Sequence, residues 1–209
     1  MRTLNHWTAR YVYNRSRNIV SNRLHRDWPW LTPAAVRFLD LWLRPSDDVF
    51  EWGAGRSTLW IARRVHSIAS VESNMEWFTK LRSIVEREGL RNVDLKFFSP
   101  NAGLDEVRAY VSFVAEVAGP FDLIIVDALY RDHCALSAIE YLRPGGLLLI
   151  DNINWYLPSR SVSPESRREE DGPASPLWAD FSDRVKAWRQ IWTSNGVTDT
   201  AIWVKPSRS

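Results

Sequence analysis

A chain of 209 residues with a formal net charge of +2 is long enough for one domain with a terminal appendage, and too weakly basic to argue for nucleic acid as a partner. Its one cysteine, Cys134, rules out an internal disulfide, and no run approaches the roughly 18 apolar residues of a membrane span or the apolar core of a signal peptide. A cytoplasmic protein without a membrane span is expected, with twelve tryptophans, from Trp7 to Trp203, supplying core and cleft walls.

Residues 1–30 read as a basic helical arm ahead of a domain spanning residues 31–209. Arg2, Arg10, Arg15, Arg17, Arg23 and Arg26 precede any acid, while Leu4, Trp7 and Tyr11 recur at helical spacing, with Val12 and Ile19 on a neighbouring line. A helix docked on the domain is the expectation; a cover for an active site and a contact with an anionic surface are its alternatives. Trp28-Pro-Trp30 breaks the pattern, Thr32 and Pro33 open a helix over residues 34–43, and Pro45 stops it.

Residues 48–58 then read as a short buried strand, a glycine turn and a helix start. Gly53 and Gly55 permit positive φ and a close backbone approach to a ligand, and the hydroxyls of Ser57 and Thr58 can cap the first helical turn. Helix 59–66, strand 67–71, helix 75–88 with its Gly89 stop, strand 93–98, helix 104–117 and the apolar run 123–126 follow. Helix 132–142 leads through a Pro144-Gly145-Gly146 turn into strand 147–150. Residues 158–176 turn to Ser, Pro, Arg, Glu and Gly, a loop long enough to act as a lid. Helix 177–188 and two strands, 190–193 and 200–204, joined at Asn195-Gly196, close the chain. This alternation predicts a doubly wound, mostly parallel seven-stranded sheet with an antiparallel last strand and helices on both faces.

In such a sheet ligands bind outside the carboxyl ends of the strands, so Glu51, Gly53, Glu72, Asp127, Asp151 and Asn152 should converge on one crevice. Glu72, ending the second strand about 20 residues after the glycines, stands where a carboxylate takes both hydroxyls of a ribose. The backbone N–H groups at the glycine turn suit the polar tail of a nucleotide-like cofactor.

Glu51-Trp-Gly-Ala-Gly55 resembles the first motif of class I S-adenosylmethionine-dependent methyltransferases, and Val71-Glu72-Ser73 the second. Phe121-Asp-Leu-Ile-Ile-Val-Asp127 and Leu142-Arg-Pro-Gly-Gly-Leu-Leu-Leu-Ile-Asp151 are similar to the motifs of strands four and five, so the resemblance covers residues 45–155 in order. It implies S-adenosylmethionine held by Glu51, Gly53, Ala54, Gly55, Ser57, Thr58, Glu72, Ser73 and Asp127, with Glu51 near the cofactor's ammonium through water. Phe98-Ser-Pro-Asn101 lacks the acid that many members place near the adenine amine, leaving Ser99 or Asn101 as substitutes. Asp127, Asp151 and Asn152 resemble the magnesium site of metal-dependent O-methyltransferases, and hard oxygen ligands suit such an ion. The lysine base of those enzymes is replaced here by Tyr130.

The candidates for proton removal are Asp127, Tyr130 and His133, whose ordinary pKa near 6.5 suits a base. The expected activity is methyl transfer to a small-molecule or sugar-type acceptor at oxygen, with a small-molecule substrate, no nucleic acid and an open oligomeric state. Two rivals stand beside it. A nicotinamide-dependent oxidoreductase shares the glycines and the acid, but Thr58 occupies the third glycine position of that fingerprint and the chain has no Tyr-x-x-x-Lys pair. A non-catalytic nucleotide-binding module could keep the same fold.

Overall fold

The computed structural model describes residues 8–99 and 104–207; Leu4, Trp7 and Asn101, to which the sequence assigns roles, lie outside them. The elements run α1 (Ala9–Leu24), α2 (Pro33–Trp42), β1 (Asp48–Trp52), α3 (Arg56–Ala62), β2 (Ser67–Glu72), α4 (Met75–Glu88), β3 (Val93–Phe97), α5 (Leu104–Ser112), β4 (Phe121–Val126), α6 (Arg131–Tyr141), β5 (Leu142–Asp151), α7 (Pro176–Val185), β6 (Arg189–Ser194) and β7 (Asp199–Val204). One seven-stranded sheet forms in the order β3-β2-β1-β4-β5-β7-β6. Its pairings are parallel except where β7 runs antiparallel to β5 and β6.

Strand alternation divides the core into two layers. Phe50, Trp52, Val71, Ile124, Val126, Leu148 and Ile150 face one side, where α5, α6 and α7 cover them. Val49, Ile68, Leu123, Ile125, Leu147 and Leu149 face the other, against α2 and α3. Strands buried on both faces read as near-continuous apolar runs because neither face meets water. At the edge of the sheet opposite the strands' carboxyl ends, Arg143 bridges Asp122 (2.5 Å) and Asp48 (3.3 Å), tying together the starts of β1 and β4.

Two elements differ from the sequence reading. Pro144-Gly145-Gly146 lies inside β5 instead of forming a turn before it: the Gly145 N–H donates to Lys205 O (2.8 Å), the Lys205 N–H donates to Gly146 O (2.9 Å), and a register shift opposite Phe121 and Leu123 absorbs the proline. α5 stops at Ser112, and Phe113–Ala115 tighten into a 3-10 turn whose Phe113 and Val114 are buried in the core.

The segment expected as a lid is hydrogen-bonded to its surroundings in this structure. Ser163, itself buried, donates through Oγ to Asp199 Oδ1 (2.6 Å), the Arg167 N–H donates to Asn154 O (2.9 Å), and Arg168 donates to Ser161 O (2.7 Å). The first bond ties the segment to the β6–β7 hairpin, the second to the turn after β5, and the third closes the segment on itself. The arm's helix α1 packs on the same hairpin through its polar side, with Asn18 Oδ1 accepting from Asn195 Nδ2 (3.3 Å). Among the described residues no helix is long and apolar enough to cross a membrane.

Candidate functional site

The carboxyl ends of β1, β2 and β4 are stitched into one rim. The N–H groups of Gly53 and Ala54 both donate to Val71 O (2.9 and 3.0 Å), and the Asp127 N–H donates to Trp52 O (2.9 Å). Gly53 has φ +95, and a Cβ there would lie 2.0 Å from Asp127 O, so only glycine lets the two strand ends approach. Gly55 is different: its backbone is extended (φ −170) and a Cβ would make ordinary contacts, so its freedom at positive φ is not used.

Beneath this turn Glu51 is fully buried on the α3 side of the sheet. Its Oε2 accepts from Thr58 Oγ1 (2.5 Å) and Ser70 Oγ (2.9 Å), while Oε1 has no partner among the described residues. Thr58 also accepts the Gly55 N–H (2.9 Å). It therefore stands in the first turn of α3 with Gly55 as N-cap, whereas Ser57 lines the cavity wall. Burial pushes the Glu51 carboxyl up to about 7.

Above the turn lies a cavity of about 350 Å³ walled by Gly53, Ala54, Gly55, Ser57, Glu72, Ser73 and Asp127. These are seven of the residues named from sequence for the cofactor; Glu51 and Thr58 form the layer below the floor. Glu72 Oε1 accepts the N–H groups of Ser73 (2.8 Å) and Asn74 (2.7 Å), and Oε2 takes no described donor. Burial raises the Glu72 carboxyl, against the pull of those two N–H groups.

Sequence reasoning did not assign the rest of the wall. Trp30 and Leu31 close the cavity from the segment between α1 and α2, with Trp30 stacked on Trp77 (centroids 6.1 Å) and Arg56 over its ring (4.9 Å). Trp77 Nε1 donates to Ala54 O (2.8 Å), tying α4 to the glycine turn. Tyr110 also lines the cavity, and its buried hydroxyl has no partner among the described residues; burial pushes its pKa far up, making it a donor and not a base. Nothing local in Ala109-Tyr-Val111 signals this, whereas the aromatic pair around Pro29 was a visible break in the arm's helix. Ser99 is exposed and lines no part of the cavity.

Asp127, Asp151 and Asn152 do converge, around a guanidinium. Arg131 donates through Nη2 to Asp127 Oδ1, through Nη1 to Asp151 O (3.0 Å) and Asn152 Oδ1 (2.9 Å), and through Nε to Ala128 O (3.0 Å). Asp151 turns its carboxyl away, accepting from Thr200 Oγ1 (2.6 Å), and burial followed by the neighbouring Asp127 raises it to about 8. The set does not fit magnesium: a side-chain cation fills the centre, and one of the two carboxyls is turned away and held up in pKa. His133 is a second departure. It is half-exposed on the first turn of α6, its Nδ1 3.0 Å from Asp132 Oδ1, and it lines no part of the cavity, because the helix start turns it toward solvent.

No protein-family model matches the chain, and no curated protein matches it. The strand order and the antiparallel β7 give it the Rossmann-like fold of class I S-adenosylmethionine-dependent methyltransferases. It is similar to the solved O-methyltransferase of Bacillus cereus in complex with SAH, at 20% identity over 95% of this chain and 91% of that one, with a TM-score of 0.59. It is also similar to the O-methyltransferase TomG of Streptomyces achromogenes, involved in tomaymycin synthesis and solved with SAM, at 19% identity over 98% and 100% of the chains (TM-score 0.59). An rRNA methylase of Streptococcus thermophilus matches at 16% identity over 82% and 93% (TM-score 0.53). At these identities the likeness is one of fold.

Proposed function

We propose that this chain binds S-adenosylmethionine above the glycine turn and transfers its methyl group to a hydroxyl of a small-molecule acceptor. One observation carries the reading. Two buried carboxylates, Glu72 and Glu51, each keep one oxygen without a described partner on either side of a glycine turn that only Gly53 can make. Glu72 Oε2 supplies the acceptor for a ribose diol, and Glu51 Oε1 the charge toward an ammonium through water. Tyr110, with its free buried O–H, adds a donor where an adenine or ribose edge would lie.

When bound, the cofactor brings an activated sulfonium methyl and a neutral thioether leaving group, so the chain has mainly to position the acceptor oxygen in line. Asp127 lines the acceptor side; Arg131 holds its Oδ1, and Oδ2 takes no described donor and is open to an acceptor hydroxyl. Burial raises the Asp127 carboxyl against the pull of Arg131, which fixes its orientation, so Asp127 both orients the acceptor hydroxyl and can take its proton. The deciding experiment is titration calorimetry with S-adenosylhomocysteine and with NAD. Binding of the first alone, followed by label transfer from methyl-labelled cofactor to a panel of hydroxylated small molecules, supports the reading. Binding of NAD alone overturns it.

A further inference from the structure

Helix α1 turns Tyr11, its one buried residue, toward the protein together with Asn14 and Asn18, and leaves a second line of apolar side chains in solvent. Asn14 and Asn18 meet the β6–β7 turn: a Cβ on Gly196 would fall 2.0 Å from Asn14 Nδ2, and Asn18 pairs with Asn195. Tyr13, Val20 and Leu24, which share one helical line, face outward, Tyr13 62% and Leu24 75% exposed, with Val12 and Ile19 beside them. A helix stabilised only by packing on its own domain would present the reverse arrangement.

The charges around this stripe have one sign. Residues 8–26 carry Arg10, Arg15, Arg17, Arg23 and Arg26 and no acid. Arg17 borders two depressions at once. One is the shallow apolar groove of Tyr13, Val20 and Leu24. The other is a cleft of about 490 Å³ between α1, the start of α2 and the Asn195-Gly196 turn, lined by Arg10, Arg17 and Arg37 and by neutral Asn14, Asn18 and Ser21. No carboxylate lines that cleft, and none of its three arginines forms an ion pair among the described residues.

We infer that α1 seats this protein on an anionic phospholipid surface. Tyr13, Val20 and Leu24 enter the headgroup boundary, and a lipid phosphate sits in the cleft of Arg10, Arg17 and Arg37. Apolar side chains flanked by unpaired arginines match a surface that is apolar beneath and negative above. A second copy of the chain is a poor occupant, since α1 against α1 brings arginine to arginine with no acid to answer it. A nucleic acid would match the arginines but leave the apolar stripe in water. The helix is 16 residues long, so it lies on the membrane and does not cross it.

The test is flotation of the full chain with phosphatidylcholine vesicles and with vesicles in which about a third of the lipid is phosphatidylglycerol. Binding is expected to the anionic vesicles alone and to weaken with added salt. Each arginine near such a surface accounts for about fivefold in affinity, so Arg10→Ala with Arg17→Ala should weaken binding by at least about tenfold. Leu24→Glu should abolish it. All three side chains are solvent-facing, and an unchanged thermal midpoint confirms that each variant is folded. Absence of binding to anionic vesicles overturns the inference, as does equal binding to both vesicle types or full binding by the folded Leu24→Glu chain. A dimer in sedimentation that Leu24→Glu dissolves, with no vesicle binding by the parent, would make the stripe an interface between copies and also overturn it.

Discussion

At Glu72 one carboxylate oxygen is spent on the Ser73 and Asn74 N–H groups and the other is left to the cavity. Glu72→Ala is therefore expected to weaken S-adenosylhomocysteine binding by about 10- to 100-fold, the loss of charge-assisted hydrogen bonds, with the fold intact; calorimetry reads it. Arg131 has a different weight. Removing it leaves Asp127 beside Asp151 with no cation, so Arg131→Ala should cost on the order of 3 kcal/mol. That variant should recover part of its thermal midpoint when manganese is added, whereas the parent midpoint should not move with manganese or a chelator; a parent that manganese stabilises would return the metal to the site. Burial holds Glu51 and Asp151 at about 7 and about 8, against ordinary values of 4.5 and 3.8. The folded chain thus keeps protons that the unfolded chain releases. This contribution to stability is complete below about pH 4 and is lost as pH rises toward 8. The midpoint should fall between about pH 4 and 8, and Asp151→Asn should flatten that fall in scanning calorimetry; an unchanged slope would show that Asp151 does not carry it. The glycines and Glu72 were legible because strand, turn and acid follow one another locally. Tyr110 and the clasp of Arg131 were not, because their partners arrive from other strands.

At the scale of elements, the strands and most helices were legible from period, caps and stops: Thr32 does accept the Ala35 N–H, and Gly89 does end α4 in the left-handed region. What periodicity could not carry was pairing. Pro144-Gly145-Gly146 has the composition of a turn, and only hydrogen bonds from Lys205, some 60 residues on, draw it into β5. The segment 158–176 has the composition of a mobile lid, yet Ser163 and Asp199 fasten it to the hairpin through a buried bond that no local pattern announces. Trp30-Leu31 already stands over the glycine turn. Hydrogen exchange should accordingly slow around residues 28–31 and in the glycine turn when S-adenosylhomocysteine binds, with residues 159–175 unchanged. Slowing confined to 159–175 would restore the lid.

Across the whole molecule, alternation of strand and helix was enough to foresee the doubly wound sheet, and the rule that ligands meet the carboxyl ends of its strands was enough to foresee the rim. Of α1 the sequence marked the line of Tyr11, which is buried, but not the outward line of Tyr13, Val20 and Leu24 on the other side of the helix. The contacts of Asn14 and Asn18 with the Asn195-Gly196 turn, which comes from the other end of the chain, set which face turns outward.

The Trp30–Trp77 stack, finally, makes the cavity its own optical gauge. Trp52, Trp60, Trp178 and Trp203 are sealed in the core, while Trp30 is 57% exposed and with Trp77 forms a wall of the cavity. A ligand filling that space changes the polarity around these two indoles, so titration should shift and quench part of the steady-state fluorescence in proportion to occupancy. Trp30→Phe should dim the signal while leaving the calorimetric affinity within about threefold, since a stacking face remains. An undimmed signal would assign the reporter to Trp77.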